Sequence, residues 1–352
     1  VVLDIQALSK SYGNALALER VDLQVCQGEL LTLLGPSGSG KTTLLKVIAG
    51  FEAPTSGRVL LRGRDISRLS PARRGVGMVF QNYALFPHMT VAQNVGYGLK
   101  LRRVSRGERV RRVQEMLELL QLGGLQDRYP RELSGGQQQR VALGRALAYD
   151  PEVILMDEPL GALDRALRIE MEQQIRGLHR DLGATIVYVT HDQQEALALS
   201  DRIAIMRAGM VASVGAPEQL FTRPADSFVA GFFANANLLA VQEHELLAEG
   251  NARVRCAGGE IYCPTTAGAD DGVVLAVRRR SLRRVAVPGA LRIAGVVSEM
   301  LLFGDEQEIS LQCPVLGRVV AMIDSRDCAG LALGMELELF APAGEAVLVP
   351  LV

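Results

Sequence analysis

The sequence predicts an α/β fold built on a parallel sheet, followed by a small all-β barrel. Three observations predict it. A buried apolar run, Leu30-Leu31-Thr32-Leu33-Leu34, leads into the glycine-rich stretch Gly35-Pro36-Ser37-Gly38-Ser39-Gly40-Lys41-Thr42, and residues 43–49 then read as a helix. Apolar strands and helical stretches alternate through residues 150–210, as parallel sheets require. From about residue 236 the pattern shifts to short alternating segments punctuated by Gly, Pro and Asp.

Strand, glycine-rich loop, Lys-Thr and helix together make a phosphate cradle. The glycines let consecutive N–H groups point inward, and the helix N-terminus adds partial positive charge. A di- or triphosphate fits there, with Lys41 reaching its β- and γ-phosphates and the Thr42 hydroxyl on Mg²⁺.

Before that loop, residues 3–8 and 21–25 read as strands, with Tyr12-Gly13 on a turn. Tyr12 is placed either to stack on an adenine ring or as a half-exposed turn residue. After the loop, residues 58–61 and 75–80 are β-rich, and Gln81 ends the second run. Such a Gln is polar punctuation unless its strand lies beside the phosphates. Residues 106–122 carry a helical stripe of Val110, Val113, Leu117 and Leu120. Leu133-Ser134-Gly135-Gly136-Gln137 then opens another helix, with Ser134 as N-cap and two glycines leaving N–H groups exposed.

Val153-Ile154-Leu155-Met156-Asp157 is a continuous apolar run ending in a carboxylate, the pattern of a buried parallel strand whose carboxyl end faces a ligand. Asp157 is placed to hold Mg²⁺ and Glu158 to polarise an attacking water. Residues 165–182 read as a helix, 184–190 as a strand, and His191 follows that strand end, as Gln81 and Asp157 follow theirs. Another strand is expected over 201–208 and a helical stretch over 221–233. In the β tail, segments 252–256, 273–277, 295–297, 308–311, 318–322 and 336–340 read as strands. Arg278-Arg279-Arg280 with Arg283-Arg284 reads as a solvated or interface patch.

At 352 residues two domains are expected, and 48% hydrophobic with 22% charged residues is an ordinary globular composition. A formal net charge of −1 argues against a protein built to grip nucleic acid. No apolar run approaches the roughly 20 residues needed to cross a bilayer. The opening Val1-Val2-Leu3-Asp4 carries no basic segment with a long apolar core, so no signal peptide is expected; with no initiating Met, further residues are expected upstream. Cys26, Cys256, Cys263, Cys313 and Cys328 form no CxxC pair, which suits a reduced, cytosolic chain, and the four in the last hundred or so residues read as isolated buried thiols rather than a metal or redox sensor.

Residues 35–42, Gln81, residues 133–137, residues 153–159, Asp164 and His191 occur in the order of an ABC-transporter ATPase subunit. The chain resembles that family over residues 1–235, with a helical subdomain over about 88–150 and an antiparallel β subdomain. Residues 236–352 resemble the OB-like regulatory domain of importer ATPases for maltose, polyamines, sulfate and ferric iron.

The resemblance implies roles. Tyr12 stacks on adenine, and Gly35, Ser37, Gly38, Ser39, Gly40, Lys41, Thr42 and Thr43 cradle the phosphates of ATP. Thr42, Gln81 and Asp157 attend Mg²⁺, Glu158 is the catalytic base, and His191 contacts the γ-phosphate. Ser134, Gly135, Gly136 and Gln137 cap ATP bound to the opposite subunit, so two copies pack head to tail. Asp164 lies in the stretch 161–164, where Gly161 replaces the Ser of many relatives. The segment that begins at Asn82 and ends at Tyr97, with Phe86-Pro87-His88, receives a helix of a membrane permease. A periplasmic solute-binding protein is an indirect partner, and the place of action is the cytoplasmic face of the inner membrane. The cargo implied is ferric iron, with sulfate, polyamine or sugar as alternatives. Two other classes stand beside this one: a non-transport ABC ATPase of DNA repair or translation, and a regulatory module whose β tail binds an effector.

Overall fold

The computed structural model describes residues 1–161 and 163–352; Ala162, inside the 161–164 stretch, lies outside the described residues. The chain divides into two compact units, Val1–Pro217 and Glu218–Val352.

The first unit opens with a hairpin of β1 (Leu3–Tyr12) and β2 (Ala15–Val25), and then β3 (Leu30–Leu34) runs into helix α1 (Lys41–Ala49). Strands β4 (Ser56–Leu61) and β5 (Arg64–Asp65) follow, then β6 (Val76–Val79). A helical segment comprises α2 (Val91–Val95), α3 (Tyr97–Leu101), α4 (Arg106–Leu119) and α5 (Gly135–Leu147). Strand β7 (Val153–Asp157), helix α6 (Arg165–Leu182), β8 (Ile186–Thr190), α7 (Gln193–Leu199), β9 (Arg202–Arg207) and β10 (Met210–Gly215) complete it.

Two sheets result. The antiparallel one has the order β2-β1-β4-β5, and the larger one has the order β10-β9-β3-β8-β7-β6. In the larger sheet β9, β3, β8, β7 and β6 run parallel, and β10 closes one edge antiparallel. Its strands read as unbroken apolar runs because both faces are covered. Alternate residues face different cores. Leu31, Leu33, Leu155, Val187 and Val189 pack with α1 and the antiparallel sheet, whereas Leu30, Ile154, Met156, Ile186 and Tyr188 pack with residues of α2, α4, α5 and α6.

Helix α1 carries Lys41 and Thr42, and its last turn is held from outside. Arg74, 3% exposed, donates from Nη1 to the Val47 and Ile48 carbonyls at 2.6 and 2.9 Å. Its Nε and Nη2 reach the Leu69 and Ser67 carbonyls at 2.8 and 2.7 Å. A cation here satisfies carbonyls that the helix end leaves unpaired and complements its dipole. Removing it orphans buried acceptors. Arg74→Met is therefore expected to destabilise the chain by about 3 kcal/mol, read as a lower midpoint in urea unfolding; an unchanged midpoint would contradict this role.

In α4 the expected stripe needs one correction. Val113, Leu117 and Leu120 are buried, but Val110 is 62% exposed and Met116 fills the core in its place. The buried face of α4 is set by its packing on α2 and α5, which lies one step round the helix from the sequence stripe.

Helix α8 (Pro217–Thr222) begins at the last residue of the first unit, and α9 (Ser227–Phe232) follows in the second, rather than one helical stretch over 221–233. Pro224 stops the first helix, its carbonyl accepts from Thr266 Oγ1 at 2.9 Å, and Asp226 caps the second. The β strands are β11 (Ala236–Ala240), β12 (Glu243–Leu247), β13 (Asn251–Cys256), β14 (Gly259–Pro264), β15 (Val273–Arg278), β16 (Leu291–Phe303), β17 (Glu306–Cys313), β18 (Gly317–Asp324), β19 (Glu336–Ala341) and β20 (Ala346–Pro350). They form antiparallel sheets β11-β15-β20, β12-β13-β14 and β18-β17-β16-β19 around one shared core, the all-β, OB-like arrangement expected.

Cys256, Cys263, Cys313 and Cys328 are buried free thiols, and burial pushes all four above the ordinary thiol value, Cys256 and Cys263 to about 11. Such thiols are unreactive. The arginine cluster is not a free basic patch. Arg279 and Arg280 pair with Glu308 and Glu306 at 2.9 and 2.6 Å, Arg278 and Arg283 reach Glu345, and Arg284 donates to the Asp327 carbonyl.

Candidate functional site

Register in the parallel sheet brings distant residues to one edge. Leu34 lies opposite Thr190, Val189 opposite Asp157, and Met156 opposite Val79. The residues that follow these strand ends, Gly35, His191, Glu158 and Gln81, therefore emerge side by side. This is the carboxyl edge where open α/β sheets bind ligands.

The glycine-rich loop curls between β3 and α1. Gly40 is in the left-handed region at φ +101°, and a Cβ there would sit 2.8 Å from the Ala17 carbonyl. A Cβ at Gly35 would sit 2.4 Å from the Met206 carbonyl. Both positions admit only glycine in this backbone. Ser37 and Gly38 are exposed at the loop tip, Ser39 is buried beneath it, and Thr43 is half-buried in the first turn of α1.

Lys41 is 5% exposed, and its Nζ donates to the Gly35 and Pro36 carbonyls at 2.7 and 3.0 Å. Burial lowers its pKa, and the nearby Glu158 and Asp157 carboxylates oppose that shift. The ammonium is thus held over the loop by neutral carbonyls, with anionic groups just beyond. The Thr42 hydroxyl donates to Asp157 Oδ1 at 3.3 Å. Burial raises the Asp157 pKa, against the pull of that hydroxyl. A hydroxyl and a desolvated carboxylate side by side are oxygen donors of the kind that suits Mg²⁺.

Glu158 is the hub. Its backbone is left-handed at φ +43°, and its N–H donates to the Val189 carbonyl at 3.0 Å. One carboxylate oxygen accepts from Gln81 Nε2 at 3.4 Å, and the other lies 3.3 Å from His191 Nδ1. A strained non-glycine backbone held by a neighbouring strand is the kind of geometry found at functional sites.

The segment after Gln81 is anchored from the helical side. Tyr83 and Ala84 are left-handed at φ 58° and 45°, and their carbonyls accept from Arg145 of α5 at 2.9 and 2.7 Å. Buried Asn94 accepts from the Phe86 N–H and donates to the Phe86, Met89 and Thr90 carbonyls. Phe86 packs on Tyr97 with ring centroids 4.5 Å apart. Beside them lies a cleft of ≈ 510 Å³ lined by Phe51, Phe80, Phe86, Tyr97, Arg145 and Tyr149.

Two expected parts stand apart from this cluster. Tyr12 is half-exposed at the end of β1 with Lys10 Nζ 4.7 Å from its ring, and among the described residues no hydrogen bond joins it to the loop. Ser134 caps α5, accepting from the Gln137 N–H at 3.3 Å while Gln137 Oε1 accepts from the Ser134 N–H at 3.0 Å. Ser134, Gly135 and Gln137 face outward, whereas Gly136 is pressed against Leu167. No hydrogen bond among the described residues joins that cap to the Gly35–Thr42 loop. Asp164 caps α6, accepting from the Leu167 N–H at 3.0 Å.

Sequence reasoning missed Arg74, Arg145, Asn94 and the group Arg168, Thr190, Asp192 and Glu195. A signal existed for the last: Asp192-x-x-Glu195 has capping-box spacing. Instead of capping, the Glu195 side chain turns inward.

The ABC transporter family profile matches residues 18–161. The spermidine/putrescine import ATP-binding protein PotA of Thermobifida fusca (strain YX) is 47% identical over 311 residues, covering 86% of this chain and 81% of that protein. The Fe(3+) ions import ATP-binding protein FbpC of Fusobacterium nucleatum is 51% identical over 239 residues, covering 68% of this chain and 64% of that protein. Among solved structures, the dimeric post-hydrolysis state of the ATP-binding cassette MJ0796 bound to ADP and Pi is 34% identical, with TM-score 0.54, over 61% of this chain and 98% of that one. With that identity carried across both compact units, the chain belongs to the ABC transporter family, among its import ATP-binding proteins.

Proposed function

We propose that this chain is the ATP-hydrolysing subunit of a membrane importer, working as a head-to-tail pair of copies. The observation that carries this reading is the Glu158 carboxylate set between Gln81 and His191, at the strand ends beside Lys41 and Thr42. In the proposed reaction Lys41 and the loop N–H groups bind the phosphates, and His191 contacts the γ-phosphate. Glu158 takes the proton of the attacking water as its oxygen bonds to the γ-phosphorus. The bond to the β–γ bridging oxygen breaks, and ADP leaves with that electron pair. Thr42, Asp157 and Gln81 would hold Mg²⁺, which when bound neutralises charge on the phosphates.

The exposed cap at Ser134 supports a shared site. Its outward N–H groups suit a phosphate supplied by a partner copy, and the dimeric MJ0796 cassettes are a precedent. ATP then bridges two surfaces and draws them together, and loss of the γ-phosphate releases them. Residues 1–235 are read as the nucleotide-binding domain and 236–352 as the regulatory one. No helix among the described residues is long and apolar enough to cross a membrane. Attachment is therefore assigned to permease subunits seated beside the 82–97 segment on the cytoplasmic face, with a solute-binding protein acting from the far side.

For the cargo, the likeness to the polyamine protein runs through most of the second unit, whereas the iron relative is matched over 239 residues. A polyamine is therefore the better supported cargo, with ferric iron the second reading. The test is ATP-driven uptake after reconstitution with the permease that co-purifies with this chain. Spermidine uptake is expected. Uptake of ferric iron alone would replace polyamine with iron, and ATP hydrolysis indifferent to any permease would end the importer reading.

A further inference from the structure

Among the described residues the side-chain partner of His191 is Glu158, and the ring is otherwise exposed. What aims it is the turn on which it sits. That turn runs from Thr190, the last residue of β8, to Asp192, the N-cap of α7. Thr190 is buried, and its hydroxyl accepts from the Asp192 N–H at 3.0 Å and donates to Glu195 Oε2 at 2.8 Å. The same Glu195 oxygen accepts from the Tyr188 hydroxyl at 2.8 Å. Asp192 Oδ1 accepts from the Gln194 and Glu195 N–H groups at 2.7 and 3.4 Å. Thr190 is thus bonded to the buried Glu195 carboxylate, Asp192 is bonded to the Thr190 hydroxyl and the Glu195 N–H, and the imidazole between them is left to face Glu158.

The lock extends to a second element. Arg168 of α6 donates from Nη1 to Asp192 Oδ2 at 3.4 Å and from Nη2 to the Leu163 carbonyl at 3.4 Å. Its Nε lies 3.8 Å from Glu195 Oε1. Leu163 precedes Asp164, the cap of α6, in the segment that leads away from Glu158. A single guanidinium therefore ties the chain leaving Glu158 to the turn carrying His191. A planar fork with several fixed donors suits that task better than a flexible ammonium. Burying Glu195 costs free energy. Its hydrogen-bond partners are the turn and the strand beneath it.

We propose that Arg168, Thr190 and Glu195 are positioning residues that hold His191 in line with Glu158, making the 163–164 segment and the His191 turn one mechanical body. This rests on the reading of His191 as the γ-phosphate contact. An error of about 1 Å in such a group costs on the order of 10²-fold in rate.

The test uses the full chain and MgATP, with steady-state hydrolysis, nucleotide binding and thermal unfolding measured on each variant. Thr190→Val keeps the shape and deletes the hydroxyl; Arg168→Met deletes the fork. Both are expected to lower kcat about 10–100-fold with KM for ATP within about threefold. Thr190→Ser, which restores the hydroxyl, should recover the rate. In a His191→Ala background, Thr190→Val and Arg168→Met should each cost less than about threefold more, because the residue they act through is gone. Full, multiplicative losses in that background would overturn the proposal, as would a Thr190→Ser as slow as Thr190→Val. If His191→Ala itself hydrolyses ATP normally, the reading of His191 fails first and this proposal falls with it. Thr190→Val and Thr190→Ser differ from the parent by single atoms or a methyl group, so the comparison survives if Arg168→Met fails to fold.

Discussion

Glu158→Gln is expected to cut ATP hydrolysis by about 10²–10⁴-fold while leaving nucleotide binding intact. The amide has nearly the shape of the carboxylate but takes no proton, so the water attacking the γ-phosphorus loses its base. The surroundings sharpen the expectation. The carboxylate faces Gln81 Nε2 and His191 Nδ1 on its two oxygens, and an amide offers one oxygen where there were two. The left-handed backbone at residue 158 is kept, since its N–H still meets the Val189 carbonyl. The loop that binds phosphate is on β3 and α1, so affinity should stay near that of the parent. Single-turnover hydrolysis together with fluorescent-nucleotide binding checks both halves. A variant that hydrolyses at the parent rate would remove Glu158 as the base.

Lys41→Ala has the other large effect. The ammonium is nearly buried, and desolvation lowers its pKa, so the fold keeps a desolvated cation where phosphate charge is to arrive. Deleting it removes the principal positive charge of the cradle and leaves the Gly35 and Pro36 carbonyls without their donor. Loss of one such preorganised contact to a developing charge costs about 10²–10³-fold. Turnover should fall at least that far, with weaker nucleotide binding by calorimetry. Near-normal hydrolysis by Lys41→Ala would end the phosphate-cradle reading.

The parts of the site that lie on strand ends were legible in the sequence. A parallel strand buried on both faces must be apolar throughout, so its end is marked by the first polar residue. Leu30–Leu34, Val153–Asp157 and Ile186–Thr190 all announce themselves this way; Asp157 ends its strand, and Gly35, Glu158 and His191 follow theirs. The parallel register then does the rest. The supports of the site were not legible, because their partners are far away along the chain. Arg74 reaches back 26 and 27 residues to α1, and Arg145 reaches 61 and 62 residues to the Gln81 segment. The ion pairs of the arginines in 278–284 were not legible either, because Glu306, Glu308 and Glu345 are brought to them only by the tertiary fold. Glu195 was not legible for a different reason. Its spacing from Asp192 matches a cap, but two hydroxyls from β8 draw it inward. In the second unit, β12 and β20 escaped period-two reading. The first is exposed along its whole length and the second is buried along nearly all of it, so neither alternates.

The most direct measurement concerns whether one chain closes a site alone. Sedimentation of the Glu158→Gln chain, with and without MgATP, should show monomers becoming dimers that hold one nucleotide per chain, and Ser134→Arg added to it should abolish the dimer by placing a bulky cation on the outward cap of α5. A monomer that binds MgATP with the same affinity and stoichiometry, indifferent to Ser134→Arg, would contradict the shared-site reading.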